Sequence, residues 1–444
     1  MESHLNTDSS CGEFDIYIGV PFCRIRCKSC PYFITLLSDN DPRHIEDRYV
    51  AALVTDIKRW ANYPKFRDAV LRCVFIGGGT PSLLQTANIK RIIDAVTTSF
   101  KLGPDAEITL EGNPHDFDDA KIDYIVSSPI NRLSLGVQSF QPEVLDVIGS
   151  PHSGAESRAV IEAFHQRGFS NVQADLIYNV PGHTMEQWEK DLAELGELGV
   201  AHFTIYTYRV HKGTLQERLI NQGRVVPPLD PDSPPARAMH RKARQLAESM
   251  GYVCYMADHF CRPGHENQYN YWNWRAYVET LAFGPGSYSY LDNYRLGTAT
   301  DVERYISTVK EGDFMISSVS DHISARVDRE RYTIFAFEYF GIDFAEYKGR
   351  FGTDFLVDFA DEVARLVRKG LVEITDASAR LTPLGLEWNT NVCLEFVNSQ
   401  YWQNRGNSTE PNWSLNGATA DATDFPREHW LGDIQQDLFP ERLS

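Results

Sequence analysis

Between residues 14 and 208 the chain repeats one unit: a short apolar run, a polar or glycine-rich turn, then an amphipathic helical stretch. FDIYIGV (14–20) is the first strand. The helical stretch Glu46–Tyr63 follows, with Val50, Leu53, Val54 and Ile57 on one face. LRCVFI (71–76) is apolar almost throughout, as a strand buried on both faces should be. ANIKRIIDAVTTSF (87–100) reads as its helix. AEITLEG (106–112), RLSLGV (132–137), NVQADLIYNV (171–180) and HFTIYTY (202–208) continue the series, with helical patterns between them. Six strands in βα order predict a parallel α/β sheet with right-handed crossovers, closed as a barrel or forming part of one.

In that architecture functional groups gather where strands end. Here they do. CRIRCKSC follows the first strand and GGGTPS (77–82) the second. EGNP (111–114), GVQSF (136–140) and DLIYNVPG (175–182) close the third, fourth and fifth. The glycines of GGGTP would let backbone N–H groups approach a ligand closely. The triphosphate-loop pattern is absent, so this is not a nucleotide-triphosphate turn.

Three of the eight cysteines, Cys23, Cys27 and Cys30, fall within eight positions. Structural zinc takes four ligands, usually as two pairs, and Cys11, Cys73, Cys254, Cys261 and Cys393 are scattered. A loop with Arg24, Arg26 and Lys28 is a poor place to bury thiols. An iron–sulfur cluster normally takes four cysteines, so three leave one iron open to another ligand.

Composition narrows the rest. The hydrophobic share is 42% and the formal net charge −18. No basic cluster suits a nucleic acid, and no apolar run is long enough to span a bilayer. MESHLNTDSS has no leader pattern, so the expected location is cytoplasmic, where thiols stay reduced. The expected organisation is a short tail (1–13), a barrel with its extension (14–316), a C-terminal module (317–402) and a poorly ordered polar tail (403–444). The C-terminal module has helices and a hairpin near 371–382. It reads as a winged-helix-type lid over the substrate cavity rather than a DNA binder.

The motifs YIGVPFC, FIGGGTPS, EGNP, RLSLGVQSF, ADLIYNVPG, YxYxxxxGT and GPGSYS occur in an order that resembles the radical S-adenosylmethionine (SAM) superfamily. Within it they resemble the oxygen-independent coproporphyrinogen III oxidase-like (HemN-like) subfamily. The resemblance implies a partial (β/α)6 TIM-like barrel with a C-terminal HemN-like domain. It implies a [4Fe–4S] cluster on Cys23, Cys27 and Cys30 and two SAM molecules. The first SAM is expected at Tyr17, Gly78, Glu111, Arg209 and Tyr288, and the second at Gly79, Thr80, Gln138 and Asp175. A flavodoxin or ferredoxin is the expected electron donor.

Each of these positions also has a plainer reading. Tyr17 could be packing, Glu111 and Asp175 helix caps, and Gln138 a loop support. Tyr206, Tyr208 and the Tyr269–Tyr271–Trp272 cluster could be core aromatics. His152 and His183 could be bases or could only brace loops.

Several positions depart from the family. Tyr32 stands where the oxidases have a fourth cysteine. Ser29 replaces an aromatic, and Ser150 an arginine. Asn267–Gln268 replace the His-Asn pair of the haem-chaperone branch. These losses point to the class C methylase and cyclopropane-forming branch. The expected reaction is then transfer of a SAM-derived carbon to an sp2 carbon of an unsaturated natural product. The alternatives are a tetrapyrrole enzyme (haem ring-opening methylation or coproporphyrinogen oxidation) and a haem chaperone.

Overall fold

The computed structural model describes residues 11–38, 41–320 and 322–397. The polar tail at 403–444 and most of the N-terminal tail lie outside the described residues. Two compact units are present. The first runs to Ile323 and includes Phe335–Ile342; the second comprises Ser324–Ile334 and the chain from Asp343.

The first unit is built on one sheet. Its strands are β1 (Glu13–Val20), β2 (Val70–Gly78), β3 (Lys101–Gly112), β4 (Arg132–Gln138), β5 (Val172–Tyr178) and β6 (His202–Thr207). Then come β7 (Val253–Met256), β8 (His259–Cys261), β9 (Glu279–Phe283), β10 (Tyr288–Leu291), β11 (Tyr294–Gly297) and β12 (Ser318–Val319). The order across the sheet is β12-β11-β10-β9-β1-β2-β3-β4-β5-β6-β8-β7. The six expected strands are adjacent, sequential and parallel. This is the partial (β/α)6 barrel of the motif series. Its edges are extended: β9 adds parallel to β1, and β8 adds antiparallel to β6.

Helices α1 (Ile45–Ala61), α2 (Thr86–Ser99), α3 (Asp119–Ser127), α4 (Pro142–Ile148), α5 (Gly154–Gln166) and α6 (Met185–Leu198) fill the crossovers. Their starts are chemically set. Asp118 caps α3, while Ser153 with Glu156 and Thr184 with Gln187 form capping boxes on α5 and α6. Val50, Leu53 and Ile57 of α1 pack into the same core as Ile16, Ile18, Leu71, Val74 and Ile76. The side chains of Cys73 and Cys261 are buried. No helix among the described residues is long and apolar enough to cross a membrane.

The second unit contains Phe344–Phe351, Ala360–Arg368 and a hairpin of Val372–Ile374 with Ser378–Leu381. Its core is aromatic: Tyr347 meets Phe351 and Phe355, and Phe359 meets Phe396 edge-on.

One buried carboxylate in the first unit titrates near neutrality. Asp56 of α1 accepts from Tyr305 at 2.8 Å, Tyr305 lying in the helix Val302–Lys310. Its other oxygen has no hydrogen-bond partner among the described residues, and burial pushes its pKa to about 6. The folded pKa is raised, so protonation stabilises the fold at low pH and that stability is lost as pH rises through 6. Asp56→Asn should therefore raise the melting temperature by a few degrees at pH 8, about 2 kcal/mol. At pH 4.5 the gain should vanish. Calorimetry at the two pH values checks this.

Candidate functional site

The cysteine loop is fastened at both ends. Phe22–Cys23 pairs in parallel with Thr35–Leu36, so the chain leaves and returns side by side. Leu37 N–H donates to the Cys23 carbonyl at 3.0 Å. In the middle, Lys28 N–H donates to the carbonyl of Ile148 at the end of α4, and Lys28 Nζ reaches the Asp146 carbonyl at 2.6 Å. Arg26 donates to the Tyr32 carbonyl from within the loop.

The glycine turn secures the loop from beneath. Gly79 N–H donates to the Val20 carbonyl and Thr80 N–H to that of Phe22, each at 2.7 Å. A Cβ on Gly79 would lie 2.5 Å from the Phe22 carbonyl oxygen, so only glycine fits. Gly78 has φ +109 and donates to Glu111 Oε2 at 3.2 Å. The expectation that these amides face a ligand is corrected: all three bond within the protein.

Cys23, Cys27 and Cys30 are free, part-buried thiols. Burial pushes Cys23 up to about 11; the Thr80 hydroxyl, 3.3 Å from its sulfur, opposes this, and Cys30 and Cys27 add to it. Burial also raises Cys27 and Cys30, and Cys30 raises Cys27 further. Three thiols raised by burial, two of them further by a neighbouring cysteine, suit a cationic iron core, which favours their thiolate forms. Among the described residues no three of His, Cys, Asp or Glu converge tightly enough for a single ion. A cluster asks for something looser, because each cysteine binds its own iron.

Inside the sheet two carboxylates share a lumen. Asp175 accepts from Ser134 Oγ at 2.8 Å and Gln173 Nε2 at 2.9 Å. Glu111 lies against Gly77, whose missing Cβ would sit 2.7 Å from its Oε2. Burial, then the Asp175 charge, push Glu111 to about 8; burial raises Asp175 as well. Tyr17 joins them: burial and then Glu111 raise its pKa, and its ring stacks on Phe75 at 6.2 Å. Phe75 in turn meets Tyr269 at 4.9 Å.

The structure thus brings Tyr17, Gly78, Glu111 and Asp175 together, with Thr80 against Cys23. The other expected residues sit apart from these carboxylates in their contacts. The exposed Arg209 acts on Tyr178 and Asp232. Tyr288, on β10, lies under Arg295 at 3.6 Å. Gln138 holds a left-handed φ of 64 at the end of β4. His152 bridges Val137, Ser150 and Asn113, so it braces loops. Tyr208 is core, packed with Val144, Ile148 and Val180.

One arrangement has no simple sequence signal. The segment His265–Asn270 is pinned at the β3–β4 floor. Arg132 and Glu107 pair at 2.7 Å while nearly sequestered, 1% and 7% exposed. Arg132 also donates to the His265 and Glu266 carbonyls, and Glu107 accepts from Gln268 N–H at 3.0 Å. Asn267 is 2% exposed and bonds Tyr255 and Asn270. Tyr269 reaches the lumen because of this anchor. Only a register of β3 against β4, Thr109 opposite Arg132, explains why Glu107 and Arg132 meet.

The radical SAM superfamily model matches residues 17–195, and the HemN C-terminal domain model matches residues 339–388. The heme chaperone HemW of Lactococcus lactis is 30% identical over 292 residues, 65% of this chain and 73% of that protein. The chain belongs to the radical SAM superfamily, in its HemW/HemN branch. HemW of Mycobacterium tuberculosis is 32% identical over 63% of this chain and 70% of its own length. Anaerobilin synthase of Escherichia coli O157:H7 is 27% identical over 67% of this chain and 65% of its own. The fold matches coproporphyrinogen III oxidase (HemN) of Escherichia coli with a TM-score of 0.76 at 22% identity, covering 89% of this chain and 92% of that one.

Membership in the radical SAM superfamily implies an iron–sulfur cluster and SAM. The relatives overturn the expected methylase or cyclopropane synthase of natural-product pathways. They are a haem chaperone and an anaerobilin synthase, tetrapyrrole-related proteins. The departures at Tyr32, Ser29 and Ser150 were read as a change of branch, and the wider identity outweighs them.

The Arg132–Glu107 pair gives a stability prediction for this radical SAM protein. Glu107→Ala leaves a buried guanidinium without its carboxylate and should cost about 3–5 kcal/mol. Urea unfolding followed by tryptophan fluorescence reads it directly. A loss under 1 kcal/mol would sink the idea that this pair holds the barrel floor.

Proposed function

We propose that this chain is a radical SAM enzyme acting on a tetrapyrrole. The observation that carries the proposal is the lumen: Glu111 and Asp175 lie together beside an aromatic wall, with three free thiols in the loop after β1. The tetrapyrrole relatives supply the substrate class.

Cys23, Cys27 and Cys30 would hold a [4Fe–4S] cluster. The Thr80 hydroxyl at Cys23 would share that sulfur's negative charge. Bound there, the cluster supplies the electron that cleaves SAM into methionine and a 5′-deoxyadenosyl radical. Glu111 and Asp175 would balance the positive charge of SAM. Tyr17 and Phe75 would keep water from the reacting carbon. Arg209 and Tyr288 belong to this SAM set by the motif resemblance alone, since Arg209 acts on Tyr178 and Asp232 and Tyr288 lies under Arg295. A second SAM is assigned to Gly79, Thr80, Gln138 and Asp175; Asp175 gives this seat its main support, since the Gly79 and Thr80 amides are engaged by the loop. A flavodoxin or ferredoxin is the proposed donor.

A second reading, a haem chaperone, is favoured by the HemW relatives at 30–32% identity. One feature favours the enzyme. At the position of the chaperone branch's histidine, Asn267 is 2% exposed and committed to internal bonds. A side chain there meets no haem unless the floor opens.

The deciding assay is anaerobic: reconstituted protein, SAM, dithionite, and either haem or coproporphyrinogen III. An enzyme should release 5′-deoxyadenosine and change the tetrapyrrole spectrum together. Cys27→Ala should lose the cluster absorbance and at least about 100-fold of both products. Tight haem binding with no SAM cleavage would overturn the enzyme reading in favour of the chaperone.

The carboxylate pair adds a pH signature. Ligand-free Glu111 is protonated below about 8. A cationic ligand favours its ionised form, so binding releases a proton. SAM affinity should therefore rise with pH, by up to about tenfold per unit, and level off above 8. In Glu111→Gln the rise should flatten. Isothermal titration at pH 6.5, 7.5 and 8.5 checks the slope.

A further inference from the structure

The cysteine loop is basic in an acidic chain, and a second segment adds to its charge. Residues 22–38 hold Arg24, Arg26 and Lys28 and no carboxylate. Residues 209–224 hold Arg209, Lys212, Arg218 and Arg224 and one carboxylate, Glu217, in a chain whose formal net charge is −18. The two segments are far apart in sequence, so neither reads as a basic cluster, but the fold joins them. The helix Leu215–Asn221 sets its Gln216 N–H on the carbonyl of Lys28, between Cys27 and Cys30, at 2.9 Å. Arg218 lies on that helix. Arg224 N–H donates to the Leu219 carbonyl, which folds the chain back onto the helix end.

These cations are not neutralised from within. Arg26 and Lys28 donate to the carbonyls of Tyr32 and Asp146, not to carboxylates. Glu217 is turned to the Gly213 amide at 2.7 Å. Lys212, Arg218 and Arg224 are exposed and make no ion pair among the described residues. Exposed cations elsewhere behave differently: Arg48 pairs with Glu303, Lys90 with Asp94 and Lys190 with Glu186. Ile25, Leu215 and Val226, 40%, 44% and 71% exposed, accompany the basic residues of both segments. Apolar side chains among unpaired charges suit contact with a protein, and the charges steer its approach. We propose that this basic face is the docking surface for the one-electron carrier, which meets it with a carboxylate-rich face of its own. Position selects the occupant. The face is built on the loop whose cysteines take the cluster, so a protein seated there stands over the group to be reduced. One electron passes inward, the carrier is oxidised by one electron, and no atom is transferred. The inference rests on the radical SAM enzyme reading and adds the surface through which that enzyme is reduced.

Arg218→Glu combined with Arg224→Glu tests it, since neither residue belongs to the thiol loop or to a SAM set. The reconstituted full chain, with SAM and haem, is reduced in two ways. One uses an acidic flavodoxin kept reduced by NADPH and its reductase; the other uses dithionite. Release of 5′-deoxyadenosine is followed in both. At low salt the flavodoxin-driven rate should fall about tenfold, through a raised KM for flavodoxin, while the dithionite-driven rate stays within about twofold. Added salt should slow the wild type with flavodoxin and leave the variant almost unmoved. Arg218→Gln combined with Arg224→Gln should lose about threefold, and it decides the matter if charge reversal misfolds the chain. Flavodoxin-driven rates equal in variant and wild type overturn the docking surface. So does an equal fall in both arms, which would place the defect in the cluster or the fold. Wild type that dithionite drives and acidic flavodoxin does not overturns it as well. A weaker Soret response to haem with the flavodoxin-driven rate intact would give the face to substrate carboxylates instead. Wild type that releases no 5′-deoxyadenosine with dithionite overturns the enzyme reading itself, and this inference with it.

Discussion

The site depends on a backbone contact a few atoms wide. Gly79 and Thr80 at the end of β2 donate to Val20 and Phe22 at the end of β1, with no room for a Cβ on Gly79. That contact sets where Cys23 begins, and Thr80 then reaches the Cys23 sulfur. One turn thereby ties the cysteine loop to the strand beside Glu111, whose carboxylate takes the Gly78 amide. The glycines serve close packing of two strand ends, and the ligand-facing chemistry falls to side chains on the strands.

Charge inside the barrel is arranged in two layers with opposite logic. At the floor, Glu107 meets Arg132, and Nη2 of that arginine donates to the carbonyls of His265 and Glu266. This layer is compensated and holds structure. Four residues along β3, past Thr109, Glu111 lies near Asp175; burial drives both carboxyls up, and the hydrogen bonds and the Arg132 charge only partly offset it at Asp175. A raised carboxyl pair in a lumen ionises more readily beside a positive charge, which is what the proposed SAM site would supply. The same strand supplies both layers, and the two-residue pleat keeps them apart.

The strand order was legible because burial on both faces writes continuous apolar runs, and each turn ends in glycine or a polar residue. Cys23, Cys27 and Cys30 were legible because their spacing is local. The edge strands β7–β12 were not, since strands of two to five residues have no comparable run. Glu107, Arg132 and Tyr269 were hidden for another reason: their meeting depends on register between β3 and β4 and on a segment some 130 residues further along. Tyr206 and Tyr208 show the limit most sharply. Two positions apart, they look alike in sequence, yet one is 40% exposed and the other 3%. Strand β6 ends at Thr207, and past it alternation no longer predicts a face.

The overturned methylase reading has the same physical root. It weighed single positions, Ser29, Tyr32, Ser150 and Asn267, as marks of a branch. Each lies outside the regular strands of the sheet. Asn267 is an internal capping group, bonding the Asn270 amide. Ser150 is held on His152. Tyr32 is an exposed residue of the cysteine loop whose carbonyl accepts from Arg26. A substitution at such a position changes a local contact and leaves the lumen standing, with its carboxylates, open phenol and thiol loop. Substrate class follows the shape and charge of that lumen, which hundreds of residues build together. Identity spread over about 290 residues therefore outweighs four motif positions when the two disagree.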